Sequence, residues 1–162
     1  MQRHKAAVVG GLIAGLVTTA VMVAGRKSGV LGKTLDRDAV DWIDEHTGSR
    51  KLIGDAGTSV VEFVNHLGAS AAFAAAVPTL RDLAPSLSPV TLGTLYGTAL
   101  YAVNIGAIAP VLGITEGEVE AGPRKAAERW GVHVLQAVVT AVLAERLTSY
   151  GDDAAARREW SK

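Results

Sequence analysis

The sequence predicts an all-α fold, an integral membrane bundle of four transmembrane helices with one short interfacial amphipathic helix. Three observations predict it. Four long apolar runs occupy about half of the 162 residues. The composition is rich in small residues: 27 Ala and 18 Gly make up more than a quarter of the chain, against eight aromatic residues. Period-2 alternation is absent and Ala is a poor strand former, so no β reading competes.

The first run, residues 6–25, has no charge over 20 residues, flanked by Arg3 and Lys5 before it and Arg26 and Lys27 after it. At 1.5 Å per residue it reaches roughly 30 Å, the thickness of a bilayer core. A cleaved signal peptide has a shorter apolar core of about 7–15 residues and a small-residue cleavage site, so a retained span is the better reading. The second run, 63–80, sets a span at about 60–80. The third run, 83–115, carries Pro85 and Pro89 near its start and Pro110 near its end. Proline suits a helix start, where the missing N–H costs nothing, and a span at about 90–109 results. The fourth run, 130–144, has only 15 residues. It spans at about 128–147 if Glu128, Arg129, Glu145 and Arg146 lie at the interfaces or snorkel to them.

The four spans form one membrane domain, 1–150, followed by a polar C-terminal tail, 151–162. In the long first connection, 36–47 reads as a helix, with Thr34 placed to cap its start and Gly48 at the position where a helix-ending glycine belongs. Leu35, Ala39, Trp42 and Ile43 share one side; Asp36, Asp38, Asp41, Asp44 and Glu45 share the other. This predicts an amphipathic helix with its acidic face in water, either lying at the membrane surface with Trp42 as anchor or packed on the ends of the spans. The third connection, 116–128, reads as an acidic loop.

Composition excludes several functions. Lys+Arg and Asp+Glu balance at 16 each, which argues against a basic nucleic-acid binder. With no Cys there is no disulfide framework and no thiolate chemistry. The segment GRKSGVLGKT, residues 25–34, resembles a phosphate loop, but Lys27 stands where that pattern needs Gly, and a membrane helix precedes it instead of a strand. No nucleotide is expected. The aspartates of 36–44 do not follow a calcium-loop spacing, since Asp41 occupies the sixth position, which requires Gly.

Small residues and polar residues share stripes along the spans. Gly11 and Gly15, and Gly93 and Gly97, form GxxxG pairs, and Gly68 with Ala72 adds a small-xxx-small pair. In lipid, helices associate through close backbone approach, which glycine permits. These five glycines are therefore expected at helix contacts. Glu62, Asn65, His66, Asn104, His133 and Gln136 form a candidate intramembrane polar cluster. Polar groups facing lipid are costly, so they should face inward. Glu62 and His66 lie one turn apart and can pair. Interhelical hydrogen bonding is the structural reading of the cluster; a proton relay is the chemical one. Two His and one Glu are too few to name a metal, and neither catalytic residues nor a cofactor are indicated.

From His66 onward the order of features is similar to a known family: Gly93-x-x-Tyr96-Gly97, the mid-span Asn104, residues 109–115 reading Ala-Pro-Val-Leu-Gly-Ile-Thr, then Glu128-Arg129-Trp130-Gly131-Val132-His133. Over about residues 60–147 this resembles the YagU-type family of small bacterial inner-membrane proteins. In that family the mid-span residue can be His, where this chain has Asn104, and His133 is displaced by one from the Glu-x-x-Gly-His pattern. The resemblance implies a multi-pass protein of the cell inner (plasma) membrane without established enzymatic activity. It supplies no substrate.

Two functional classes follow. The first is a structural or accessory membrane protein acting through helix contacts in the lipid bilayer, as a homo-oligomer or with a membrane-protein partner. The second is a small transporter, channel or proton-conducting protein using the interior around His66 and His133. The sequence has no inverted repeat or clearly broken helix, which would favour transport, so the accessory reading leads.

Overall fold

The apolar stretches fold as helices linked by turns in which glycine or proline sets the backbone. A computed structural model describes the backbone of residues 2–159 and the side chains of residues 2–151. Helix α1 runs Arg3–Lys27. Helix α2, Leu35–Thr47, begins where Thr34 Oγ1 accepts from the Arg37 N–H at 3.4 Å and ends at Gly48, whose φ of 67° lies in the left-handed region. Helix α3, Ser49–Ala74, is broken at Gly54. A short α4, Val77–Leu83, turns the chain. Helix α5, Pro89–Val103, is capped by Ser88, whose hydroxyl accepts from the Thr91 N–H at 3.0 Å.

A π-helical turn, Asn104–Ile108, then leads into the short α6, Ala109–Val111. Pro110 accounts for the turn: proline has no N–H and its ring clashes with the carbonyl four residues back, and the wider turn relieves that clash. Helix α7, Glu118–Glu159, has 42 residues and a break at Gly122, φ 81° and ψ 164°. Only glycine takes that conformation readily, and the extended ψ is what the following Pro123 requires. Pro123 thus starts a new helical stretch and does not kink an existing one.

Among the described residues, three stretches are long and apolar enough to cross a membrane: Arg3–Lys27, Ser49–Leu83 and Pro89–Val111. The fourth expected span, 128–147, lies inside α7, which is not among them. The connection at 116–128 is largely helical from Glu118, and α7 continues to Glu159 through most of the polar tail. The last three residues lie outside the described ones.

The long helices run up and down in the spatial order α3, α1, α7, α5, with α1 packed between α3 and α7, and α7 packed on α5. Small residues make these contacts. A Cβ on Gly11 would lie 2.7 Å from the Ser70 carbonyl, and one on Gly15 would lie 2.8 Å from Ser70 Oγ. On α5, a Cβ on Gly97 would meet the His133 carbonyl at 2.7 Å, and one on Gly93 the Val138 Cα at 2.5 Å. Gly10 makes a further contact, its Cβ position 3.1 Å from the Ala144 amide. Gly68 differs from expectation: it is exposed, and a Cβ there would meet nothing within 4 Å. Its side of α3 faces away from α1, which takes up the side bearing Ser70 and Ala74.

The interior is built mainly from Ala6, Ala7, Ala14, Ala74, Ala137, Ala141 and Ala144, with Met22, Val40, Val77, Leu92 and Ile105 as its larger buried members, while Leu12, Leu16, Val17 and Val21 on α1 are exposed, Leu16 by 50%. Large aliphatic side chains outside and small ones inside invert the pattern of a water-soluble bundle. At the end holding the N-terminus, Arg3 pairs with Asp82 at 2.8 Å and Arg81 with Glu145 at 2.8 Å. Helix α2 lies across the opposite end.

Candidate functional site

Charge decides how α2 sits. Asp36 and Asp38 face the bundle beside Leu35 and Ala39, contrary to the expectation of an acidic face in water, and Asp41 and Asp44 are held by basic side chains next to α2. Lys33 Nζ lies 2.9 Å from Asp38 and 3.0 Å from Asp41; Arg37 reaches Asp41 at 3.4 Å, and Arg50 also pairs with it. Arg129, from α7, reaches Asp38 at 3.3 Å. The cause is the cluster of basic residues at this end of the bundle, which a face-by-face reading of α2 alone does not register. Glu45 stays exposed.

The pairing shows in the ionisation of both partners. Hydrogen bonding to Asp38, opposed by partial burial and reinforced by Asp41, holds the Lys33 ammonium above its usual pKa. Burial pushes the Asp41 carboxyl up, but the hydrogen bonds from Arg50 and Lys33 outweigh it and leave the carboxyl below its usual range.

Beneath α2 a hydrogen-bonded chain crosses three helices. Its far end fixes its direction. Gln136 on α7 donates from Nε2 to the Gly11 carbonyl at 3.3 Å, so its Oε1 faces Thr18 Oγ1 at 2.7 Å. Two acceptors at that distance would repel, so the single Thr18 hydroxyl proton goes to Gln136. Thr18 Oγ1 then accepts from His66 Nε2 at 3.1 Å, and Nε2 also lies 3.2 Å from the Gly15 carbonyl. His66 Nδ1 lies 2.9 Å from Asp36 Oδ2, and that contact needs a proton as well. The Asp36–His66 pair therefore holds one proton more than a neutral imidazole beside a carboxylate.

His66 pairs with Asp36 and not with Glu62. Glu62 turns to Arg37 at 3.5 Å and Arg26 at 3.8 Å. One turn of helix separates Glu62 from His66, but the docked α2 brings a carboxylate nearer. Arg129, with a side chain 7% exposed, also bonds Glu118 at 2.6 Å, and Glu118 accepts from the Tyr101 hydroxyl at 2.6 Å.

These groups surround a cavity of about 280 Å³ under α2. Asn65, His66, Asn104, His133 and Gln136 all line it; Glu62 does not. Its apolar wall comes from Met22, Phe73, Leu100 and Ile108. His133 Nδ1 lies 2.8 Å from the Arg129 carbonyl. A carbonyl only accepts, so Nδ1 carries the proton. Among the described residues no group of three or more His, Asp or Glu is placed to hold a metal ion.

Sequence reasoning missed Asp36, Arg129 and Thr18 as members of this site. Thr18 carried a signal, since it shares the glycine stripe of α1. Asp36 and Arg129 carried none, since each meets its partner only through tertiary docking. Comparison with family models, with curated proteins and with solved structures found no match for this chain.

Proposed function

We propose that this chain is a non-catalytic, four-span protein of the cell inner membrane, a structural or accessory component acting through helix contacts with itself or with a membrane-protein partner. The observation that carries the reading is the inverted interior. Buried alanines and glycines bring backbones together, and the large aliphatic side chains point outward. In water such a core would bury little apolar area; in lipid, close packing is what associates helices.

The fourth span rests on α7's position beside α1. Gln136 meets Thr18 toward one end of α1, and Ala144 meets Gly10 toward the other. If α1 crosses the bilayer, α7 crosses beside it. Three of the four charges bounding its short apolar run are paired, Glu128 with Arg124 at 3.0 Å, Arg129 with Glu118 at 2.6 Å and Glu145 with Arg81 at 2.8 Å, which lowers the cost of holding them near the interfaces; Arg146 is exposed.

A second reading, proton conduction, draws on the Asp36–His66–Thr18–Gln136 chain. That chain ends on the Gly11 carbonyl, which accepts a hydrogen bond but passes no proton on. The arrangement therefore favours a structural network over a conducting one.

The test has two parts. The chain should resist carbonate extraction, and reporter fusions in the turns near residues 30, 86 and 116 should alternate in sidedness. Reconstituted in pH-gradient liposomes, the wild type should carry no proton flux. Extraction into the aqueous fraction would sink the membrane reading; flux lost in His66→Gln would replace the accessory reading with the conducting one.

A further inference from the structure

The cavity beneath α2 has an entrance and unsatisfied chemistry. Helices α1 and α7 form its back, and α3 and α5 its sides. α3 and α5 are not packed on each other; they meet where the Tyr96 hydroxyl donates to the Phe73 carbonyl at 2.8 Å. Along this side Phe73 is 38% exposed and Ile108 47% exposed. On the four-span reading, which this inference rests on, the gap between α3 and α5 faces the hydrocarbon of the bilayer.

The polar wall leaves specific groups free. Because His133 Nδ1 donates to the Arg129 carbonyl, Nε2 of the neutral ring offers a lone pair, and no described residue fills it. The Asn104 side chain lines the same space, also without a partner among the described residues. The charges, by contrast, are mostly spent. Asp36 is held by His66, Arg129 by Glu118 and Asp38 with only its buried Nε–H left without a partner, and Glu128 by Arg124 and the Gly32 N–H at 3.1 Å. Lys125 remains at the rim as one unpaired cation. A charged head placed deeper would lack a free counter-charge, whereas an uncharged head with a hydroxyl would satisfy both His133 and Asn104.

We propose that this cavity holds the uncharged, hydroxyl-bearing head of a single membrane amphiphile, with its aliphatic tail leaving between α3 and α5. The head donates a hydroxyl proton to His133 Nε2 and accepts from the Asn104 amide. A volume of about 280 Å³ lies at the lower edge of the roughly 300–1,000 Å³ of small-molecule sites. That suits a head and its first methylenes and not a whole lipid. A glyceride and a reduced quinone share this chemistry.

Native mass spectrometry of the detergent-purified full chain tests it with four probes: monoolein, decylubiquinol, methyl oleate and oleate. A one-to-one adduct with monoolein or decylubiquinol is expected, and which of the two binds identifies the source. Methyl oleate, which lacks the hydroxyl, and oleate, which is anionic, should each bind at least tenfold more weakly. His133→Phe and Asn104→Leu should reduce the adduct at least tenfold. Should His133→Phe fail to fold, Ala69→Phe, which fills the cavity from α3, gives the same readout. The proposal is overturned if oleate binds as well as the neutral probes, if no probe binds, or if Asn104→Leu and Ala69→Phe leave the adduct intact. Failure with a protein that still resists carbonate extraction sinks this inference alone; a protein released by carbonate takes the membrane reading with it.

Discussion

Asp36 Oδ2 and His66 Nδ1 stand 2.9 Å apart across 30 residues of sequence, and this contact fastens α2 to α3. It is reinforced by the Asp38–Arg129 pair, which fastens the same helix to α7. Together they hold α2 over the cavity.

Asp36→Asn should lower the thermal midpoint in detergent at neutral pH, with a cost of about 1–3 kcal/mol, since a hydrogen bond to a charged group is lost. Glu62→Gln should cost less than about 1 kcal/mol, because its partners Arg26 and Arg37 lie at longer range near the rim. Equal effects from the two variants would show that Asp36 does not anchor His66.

Arg129→Gln should be among the most damaging single substitutions, exceeding those at the glycines. It leaves Asp38 and Glu118 facing each other at a site where the arginine is only 7% exposed. Removing one partner of a buried ionic group costs about 3–5 kcal/mol. Arg129→Lys should recover part of this and no more, since one ammonium cannot match a fork that serves two carboxylates. Chemical denaturation in mixed micelles would rank the three proteins.

The glycines divide by position. Gly97→Leu and Gly15→Leu should each destabilise by about 1–3 kcal/mol through overpacking, because the new side chain enters space held by His133 and Ser70. Gly68→Ala should be neutral or stabilising by up to about 1 kcal/mol, as for an exposed mid-helix glycine. A loss of stability on Gly68→Ala would reveal an oligomer contact on that face of α3.

The pH dependence of α2 docking follows from Lys33 and Asp41. The folded-state pKa of Asp41 is depressed, so its contribution is present above the unfolded carboxylate pKa of about 4 and is lost as pH falls through the folded value. The folded-state pKa of Lys33 is raised, so its contribution is present below the unfolded value of about 10.4 and is lost as pH rises through the folded one. Corrected for the intrinsic pH dependence of amide exchange, protection in α2 should therefore fall below the Asp41 limit and above the Lys33 limit. Unchanged protection on taking the pH from about 7 down through about 4 would be the wrong outcome.

The helices were legible because length and composition determine whether a segment is long and apolar enough to cross a bilayer, and the 20 uncharged residues of 6–25 meet that measure. Gly11, Gly15, Gly93 and Gly97 were legible because a GxxxG spacing reports its own face. Gly68 has the same spacing with Ala72, yet it faces outward, since spacing gives a face and not the neighbour it meets. The acidic side of α2 was misread for a related reason. A helical wheel separates Asp36 and Asp38 from Leu35 and Ala39 but says nothing about which side meets protein, and Arg129 lies 91 residues away from Asp38. The π-helical turn at Asn104–Ile108 was invisible because Pro110 was read as an end to the span, whereas the chain widens by one turn and continues through α6.

The inverted interior has a consequence for how this chain tolerates change. In a water-soluble protein the inside resists substitution to polar residues and the outside accepts almost anything. On the four-span reading the outside demands only oiliness, so Leu, Ile, Val and Phe should be interchangeable at positions such as Leu12 and Leu16. The inside demands smallness, so Gly10 or Ala141 should accept Ser more readily than Leu. A complete substitution scan would look like a photographic negative of the familiar one, with bulk, not polarity, as the forbidden property at the centre.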